Sequence, residues 1–184
     1  SGMRSEVFGD FVFLDHGEIK ILGTKIIFLI VYDGATSLLQ SFNVPDKTDA
    51  QAQEALREFM SNMQVRPKTI VGDSAFHTPS WKTFYRHHNI KPVSTGSLTP
   101  WPNRAEAAVR LFKKHFWQLV KNANAFRHLR QVPMKTLLRE AAWARHVSLT
   151  YGGKTPLELA LGRRPPDIID VENATPQQLP NPAS

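Results

Sequence analysis

Apolar residues recur along the chain in two rhythms. Residues 7–14 (VFGDFVFL) are rich in β-branched and aromatic side chains, which predicts a strand. Asp15-His16-Gly17-Glu18 follows with the composition of a turn. Residues 25–32 (KIIFLIVY) are almost continuously apolar and predict a central strand covered on both faces. Residues 38–44 (LLQSFNV) predict a third strand, and the three together an antiparallel meander. The rhythm then changes. Ala52, Leu56, Phe59, Met60 and Met63 repeat at helical spacing behind Thr48 or Asp49 as a cap. Residues 68–72 (KTIVG) predict a short strand ending at Asp73, and Thr78-Pro79 opens a second helix that reaches about His88. A last short strand falls at 90–94, and 95–102, with one Gly and two Pro, is a loop. Asn103 starts a long helix to about Asn122, with Val109, Phe112, Phe116, Leu119 and Val120 as its apolar stripe. A further helix is expected at 134–149. The Pro-, Asn- and Gln-rich end is expected to be extended or disordered. Strands interleaved with helices in this order predict an α/β fold with a mixed sheet.

Composition narrows the setting. The chain has 184 residues, of which 41% are hydrophobic, enough for one domain with a proper core. Ser1-Gly2-Met3 reads as an expression scar, 4–166 as the domain and 167–184 as the tail. Cysteine is absent, which excludes a disulfide framework and a thiolate zinc site. The seven His residues show no zinc spacing either, so no zinc is expected. No apolar run is long enough to span a membrane, and no signal peptide is visible; an intracellular protein without a membrane partner is expected. The net charge of +7 and a pI near 9.9 favour a polyanion, nucleic acid first.

Three acids carry the candidate chemistry. Asp10 lies within the first predicted strand among Val7, Phe8, Phe11 and Phe13, where a half-buried carboxylate is costly unless a cation compensates it. Asp73 follows a short strand at its carboxyl end, where open α/β sheets gather ligand-binding groups. Glu106 stands in the first turn of the long helix. Each has a plain reading: edge exposure for Asp10, a cap or turn for Asp73, a favourable helix-dipole contact for Glu106. Together they form a set of hard oxygen ligands for Mg²⁺ or Mn²⁺ in a two-metal site. Asp15 is a rival first acid. It has the opposite strand parity to Asp10, so the two cannot share a face, and Asp10 is preferred because Asp15 begins the predicted turn. Asp33, at the end of the second strand, is a candidate nearby acid that also has a good turn reading.

With these residues in view, the chain resembles the catalytic core of retroviral and retrotransposon integrases, in the copia- or gypsy-like range of the DDE polynucleotidyl transferases. Asp10 in EVFGDF, the segment FLIVYDGATS, Asp73 in IVGDSAFHTPSWKTFY, Glu106 in TPWPNRAEAAVRLFKK and the closing segment KTPLELALGRRP carry the resemblance, in that order. Ser74-Ala75 and Asn103-Arg104 depart from the Asn-Gly pairs common in the family, which leaves the type of element open. The resemblance implies an RNase H-like fold with a five-stranded mixed sheet flanked by helices. It implies metal-dependent 3′-end processing and DNA strand transfer by Asp10, Asp73 and Glu106. It also implies element-end and target DNA as partners, a homodimer or larger assembly, and a nuclear or particle-associated place of action. The family's zinc module and basic C-terminal domain are not in the sequence, so an excised core is expected. An RNase H-like nuclease, a DDE transposase and a domesticated inactive DNA-binding module remain the alternatives.

The long helix supplies a DNA-binding ridge. Arg110 and Lys113 follow Glu106 at i+4 and i+7 and so share its face. Lys121 continues that side and Lys114 lies next to it, which suits cations on phosphates flanking a metal-bound one. A solvated charged face is the plain reading of the same residues. Trp101 is expected to stack on DNA or to pack, and His77 is a weak candidate for substrate contact.

Overall fold

The computed structural model of the chain describes residues 7–21, 23–95 and 101–125, with the side chains at 21, 24, 103 and 122–125 left aside. The expected helix at 134–149, the segment 154–165 and the tail lie outside the described residues.

Among the described residues, five strands and three helices follow one another as β1 (Phe11–Ile21), β2 (Thr24–Asp33), β3 (Leu39–Val44), α1 (Asp49–Met63), β4 (Thr69–Gly72), α2 (Pro79–His88), β5 (Lys91–Ser94) and α3 (Asn103–Ala125), with a 3-10 turn at Ser74–Phe76. The strands form one mixed sheet in the order β3-β2-β1-β4-β5. β1 to β3 are the antiparallel meander expected from the apolar pattern, while β4 joins β1, and β5 joins β4, in parallel. Among the described residues no helix is long and apolar enough to cross a membrane.

The alternation of side chains along each strand splits the core into two layers. Val12 and Leu14 of β1, with Ile27, Leu29 and Val31 of β2, face α1 and α2 through Leu56, Phe59, Trp81 and Phe84. Phe13 and Ile19, with Ile26, Phe28, Ile30 and Tyr32, face α3 through Ala105, Val109, Phe112 and Phe116. β2 is thus buried on both sides, which is why its sequence is almost unbroken in apolar residues. Burying a phenylalanine such as Phe112 or Phe116 contributes about 1.5–3 kcal/mol, so the aromatic stripe of α3 fixes that helix on the sheet.

The helix starts fall where the sequence signals put them, though the Thr48 hydroxyl donates to Asp46 rather than capping α1. Thr48 precedes α1, and the Thr78 hydroxyl accepts a hydrogen bond from Trp81 N with Pro79 in the first turn of α2. Both helices end on a left-handed residue, Gln64 and Asn89.

The first strand requires a correction. Residues 7–10 form a turn rather than a strand, and the expected turn at Asp15-His16-Gly17-Glu18 is strand. β1 pairs continuously with β2 from Val12↔Asp33 to Ile21↔Thr24. Glu18 is held by Lys25 at 3.2 Å and Lys47 at 3.0 Å, and these two partners, Lys47 foremost, hold its carboxyl below the usual range. Gly17 lies opposite Phe28 and leaves room for its ring.

Candidate active site

The register of the sheet brings two acids level. Phe13 pairs with Val71 in the parallel β1–β4 ladder. Two residues further along each strand stand Asp15 and Asp73. Both keep the parity of Phe13 and Val71, which face α3. β4 ends at Gly72 while β1 runs on, so the chain leaves the sheet just where the two carboxylates come abreast. Asp73 then caps the 3-10 turn, its Oδ1 accepting from Ala75 N at 3.0 Å.

α3 closes the other wall. Glu106 is exposed in its first turn, and Arg110 and Lys113 follow on the same side. A cavity of about 510 Å³ opens between sheet and helix, lined by Asp15, Asp73, Thr95, Trp101, Glu106, Val109, Arg110 and Lys113. Lys113 Nζ donates to Asp15 Oδ2 at 2.6 Å and ties helix to sheet across it. Trp101 packs on Phe13, with ring centroids 5.3 Å apart, and Thr95 N donates to Gly72 O at 2.9 Å. Trp101 is therefore half-buried packing as well as cavity wall.

The structure does not bring Asp10 to the cavity that Asp73 and Glu106 line. Asp10 precedes β1 and lies level with Lys68, whose Nζ is 3.3 Å from Asp10 Oδ1; Val7 N donates to Asp10 Oδ2 at 3.1 Å. Five strand residues separate it from the level of Asp73, about 16 Å at the usual rise. The acid that lines the cavity with Asp73 and Glu106 is Asp15. Its parity with Phe13 was visible in the sequence, but the pairing of β1 with β4 was not.

Other candidates fall outside the cavity. Lys114 and Lys121 are exposed on α3, with Lys121 Nζ 4.8 Å from the centre of the Trp117 ring. His77 Nε2 lies 3.1 Å from both Gly72 O and Val93 O, so it holds the ends of β4 and β5 together. Asp33 is fully buried, accepting from Gly9 N at 2.9 Å and from Thr36 N at 2.8 Å; burial pushes its carboxyl up against these hydrogen bonds. That is the turn reading. His16, on the opposite face to Asp15, stacks on Phe76 at 5.1 Å, and its Nε2 is buried without a hydrogen-bond partner. Burial lowers its basicity first and Lys47 next, with Asp15 and Asp73 opposing them.

The donor set is chemically right for a hard divalent ion: three carboxylates on one cavity, from β1, from just past the end of β4 and from the first turn of α3. Among the described residues, however, no three His, Cys, Asp or Glu side chains meet closely enough to hold a metal ion as they stand. Asp15 is instead satisfied by Lys113.

No known protein-family model matches the chain, and no curated protein sequence does. Solved structures do match. The integrase catalytic core domain of HTLV-2 in complex with magnesium, in its trimeric form, aligns at a TM-score of 0.68 and 15% identity over 85% of this chain and 99% of that one. A chain of the simian T-cell lymphotropic virus intasome in complex with PP2A regulatory subunit B56 gamma aligns at 0.71 and 18% identity, over 89% and 58% of the two chains. The catalytic core domain of BIV integrase aligns at 0.65 and 14% identity, over 84% and 95%. The chain has the RNase H-like fold of integrase catalytic cores.

Proposed function

We propose that this chain is the catalytic core of an integrase, a metal-dependent polynucleotidyl transferase with Asp15, Asp73 and Glu106 as its acids. The observation that carries the reading is the common cavity of these three carboxylates, bordered by Arg110 and Lys113, on the fold of integrase cores. The HTLV-2 core was solved with magnesium, which supports Mg²⁺ or Mn²⁺ here.

Asp15 and Asp73 would hold the ion from the sheet and Glu106 from the helix. Bound there, it would supply activation of an attacking oxygen and charge neutralisation at the leaving one. The chain's own cations do the rest. Arg110 and Lys113 grip the phosphates beside the scissile bond, and Lys114 and Lys121 extend that grip along α3. In 3′-end processing water attacks a phosphodiester of the element's DNA end and the 3′-oxygen leaves as a free hydroxyl; in strand transfer that hydroxyl attacks a target phosphodiester in line, joining to its phosphorus as the target's own 3′-oxygen leaves. The HTLV-2 core in dimeric and trimeric forms supports a homo-oligomer as the working unit.

A strand-transfer assay on labelled duplex ends with Mn²⁺ tests this. Joined products are expected from the wild type and their loss from Asp73→Asn and Glu106→Gln. Cleavage without joining would favour a nuclease or transposase, and undiminished joining in both variants would defeat the assignment. One observation favours a second reading, a DNA-binding module without chemistry: the carboxylates do not close on one point, and Lys113 already satisfies Asp15. That reading expects DNA binding with no uptake of Mn²⁺.

A further inference from the structure

Asp15 and Lys113 stand 98 positions apart in sequence, yet their side chains make a hydrogen-bonded ion pair at 2.6 Å across the cavity. Neither end is freely solvated: the side chains keep 28% and 37% of their accessible surface. Lys113 is therefore not one more cation on the outer face of α3. Its stem lies over the cavity wall, and its ammonium occupies an oxygen of the first candidate acid.

Without that ammonium, Asp15, Asp73 and Glu106 would share one cavity as like charges, with Arg110 as the remaining cation among the described residues that line it. Lys113 neutralises the Asp15 carboxylate and so relieves part of that like charge. The relief has a cost for any incoming ion. Magnesium sits about 2.0–2.1 Å from a carboxylate oxygen. An ammonium hydrogen-bonded to that oxygen would then face a second cation at close range, and one of the two must yield.

We propose that Lys113 is an internal counter-ion of the site, which a divalent cation must displace from Asp15. The proposal rests on the metal-binding role given above to Asp15, Asp73 and Glu106. Displacement has a second effect. Lys113 shares a helix face with Arg110, so once released its ammonium stays at the cavity mouth, where it can take a DNA phosphate. The same residue thus holds metal affinity down in the resting protein and adds to DNA affinity when metal is bound.

Calorimetric titration of the whole chain with Mn²⁺ tests this, comparing wild type with Lys113→Met and Arg110→Met. Methionine keeps an apolar stem over the wall and removes the charge together with its hydrogen bond to Asp15. Arg110 lines the same cavity, so its variant measures the general effect of removing one positive charge there. Lys113→Met is expected to bind Mn²⁺ about fivefold more tightly, as expected for the removal of a competing partly exposed ion pair, and Arg110→Met to gain less than half of that factor. Lys113→Gln serves as a second variant, with thermal denaturation verifying the fold of each. Equal gains at both positions, or none at Lys113, would overturn the counter-ion while leaving the acids as a metal site. If neither wild type nor variants take up Mn²⁺, the metal reading falls and the counter-ion with it.

Discussion

Gly17 stands directly opposite Phe28 in the β1–β2 ladder, and the phenyl ring occupies the space a side chain at position 17 would need. A Cβ built on Gly17 would lie 2.1 Å from two atoms of that ring. The ring cannot simply swing away, because it packs edge-on against Phe112 and Phe116 of α3, with centroids 6.2 and 5.0 Å distant. Gly17→Ala should destabilise the protein by about 1–3 kcal/mol, as overpacking does, and Gly17→Val by more. Urea denaturation measures this. If the steric account is right, Phe28→Leu should lower the additional cost of Gly17→Ala in a double-mutant cycle; strictly additive effects would count against it.

Asp10 and Asp15 should separate cleanly on substitution. Asp10→Asn removes the ion pair with Lys68, a side chain that is 76% exposed, and should change stability by no more than about 1 kcal/mol. It should leave Mn²⁺ affinity where it was. Asp15→Asn removes a proposed metal ligand and should weaken Mn²⁺ binding by at least about tenfold. Titration of both variants in parallel checks the assignment, and the reverse ranking would restore Asp10.

His16 makes stability sensitive to acid. Its folded-state basicity is lowered from the ordinary value of 6.5, mainly by burial and then by Lys47. As the pH falls through 6.5, the unfolded chain takes up a proton at this position before the folded one does. Acidification therefore favours unfolding, and the decline levels off once the pH has passed below the folded value. Chemical denaturation at a series of pH values, with chelator present, should show stability falling on the acid side. The fall should be shallower in His16→Asn, even though that variant is less stable overall for want of the ring on Phe76.

DNA binding should follow the charges of α3. Neutralising one phosphate fewer lowers the slope of log affinity against log salt by about 0.9. Arg110→Ala and Lys114→Ala should each flatten the slope on duplex DNA by roughly that amount, since each variant gives up one cation. Lys82→Ala is the comparison, since Lys82 is exposed on α2, which packs on the opposite face of the sheet. Fluorescence anisotropy at several salt concentrations supplies the slopes, and an equal change in Lys82→Ala would show that net charge alone matters.

Much of the architecture could be read from residue pattern because it is set by local chemistry. β2 is apolar on both sides because it is buried on both sides, and α2 starts where Thr78 and Pro79 start it. β1 escaped that reading because its polar quartet is stabilised at a distance. Asp15 meets Lys113, His16 meets Phe76, Gly17 makes room for Phe28, and Glu18 meets Lys25 and Lys47. None of these partners but Lys25 is near in sequence, so the segment looks like a turn when read alone. The same limit governed the acids. Asp73 and Glu106 sit at element boundaries that local signals mark, whereas seeing that Asp15 rather than Asp10 comes level with Asp73 required the β1–β4 register, a relation between segments more than fifty residues apart.

The bridging contact of His77 to the carbonyls of Gly72 and Val93 bears on how the cavity can adjust. It locks two parallel strand ends at one height, and β1 is already laddered to the first of them. Two of the three acids therefore ride on a single stiff jaw. The third is carried by α3, which meets this jaw through a non-directional apolar face of alanine, valine and phenylalanine side chains and through polar ties such as the Lys113–Asp15 pair. For the proposed metal site, drawing the carboxylates together would call for a sliding of α3, and a wedge that held that helix away from the sheet would be expected to disarm it without touching an acid.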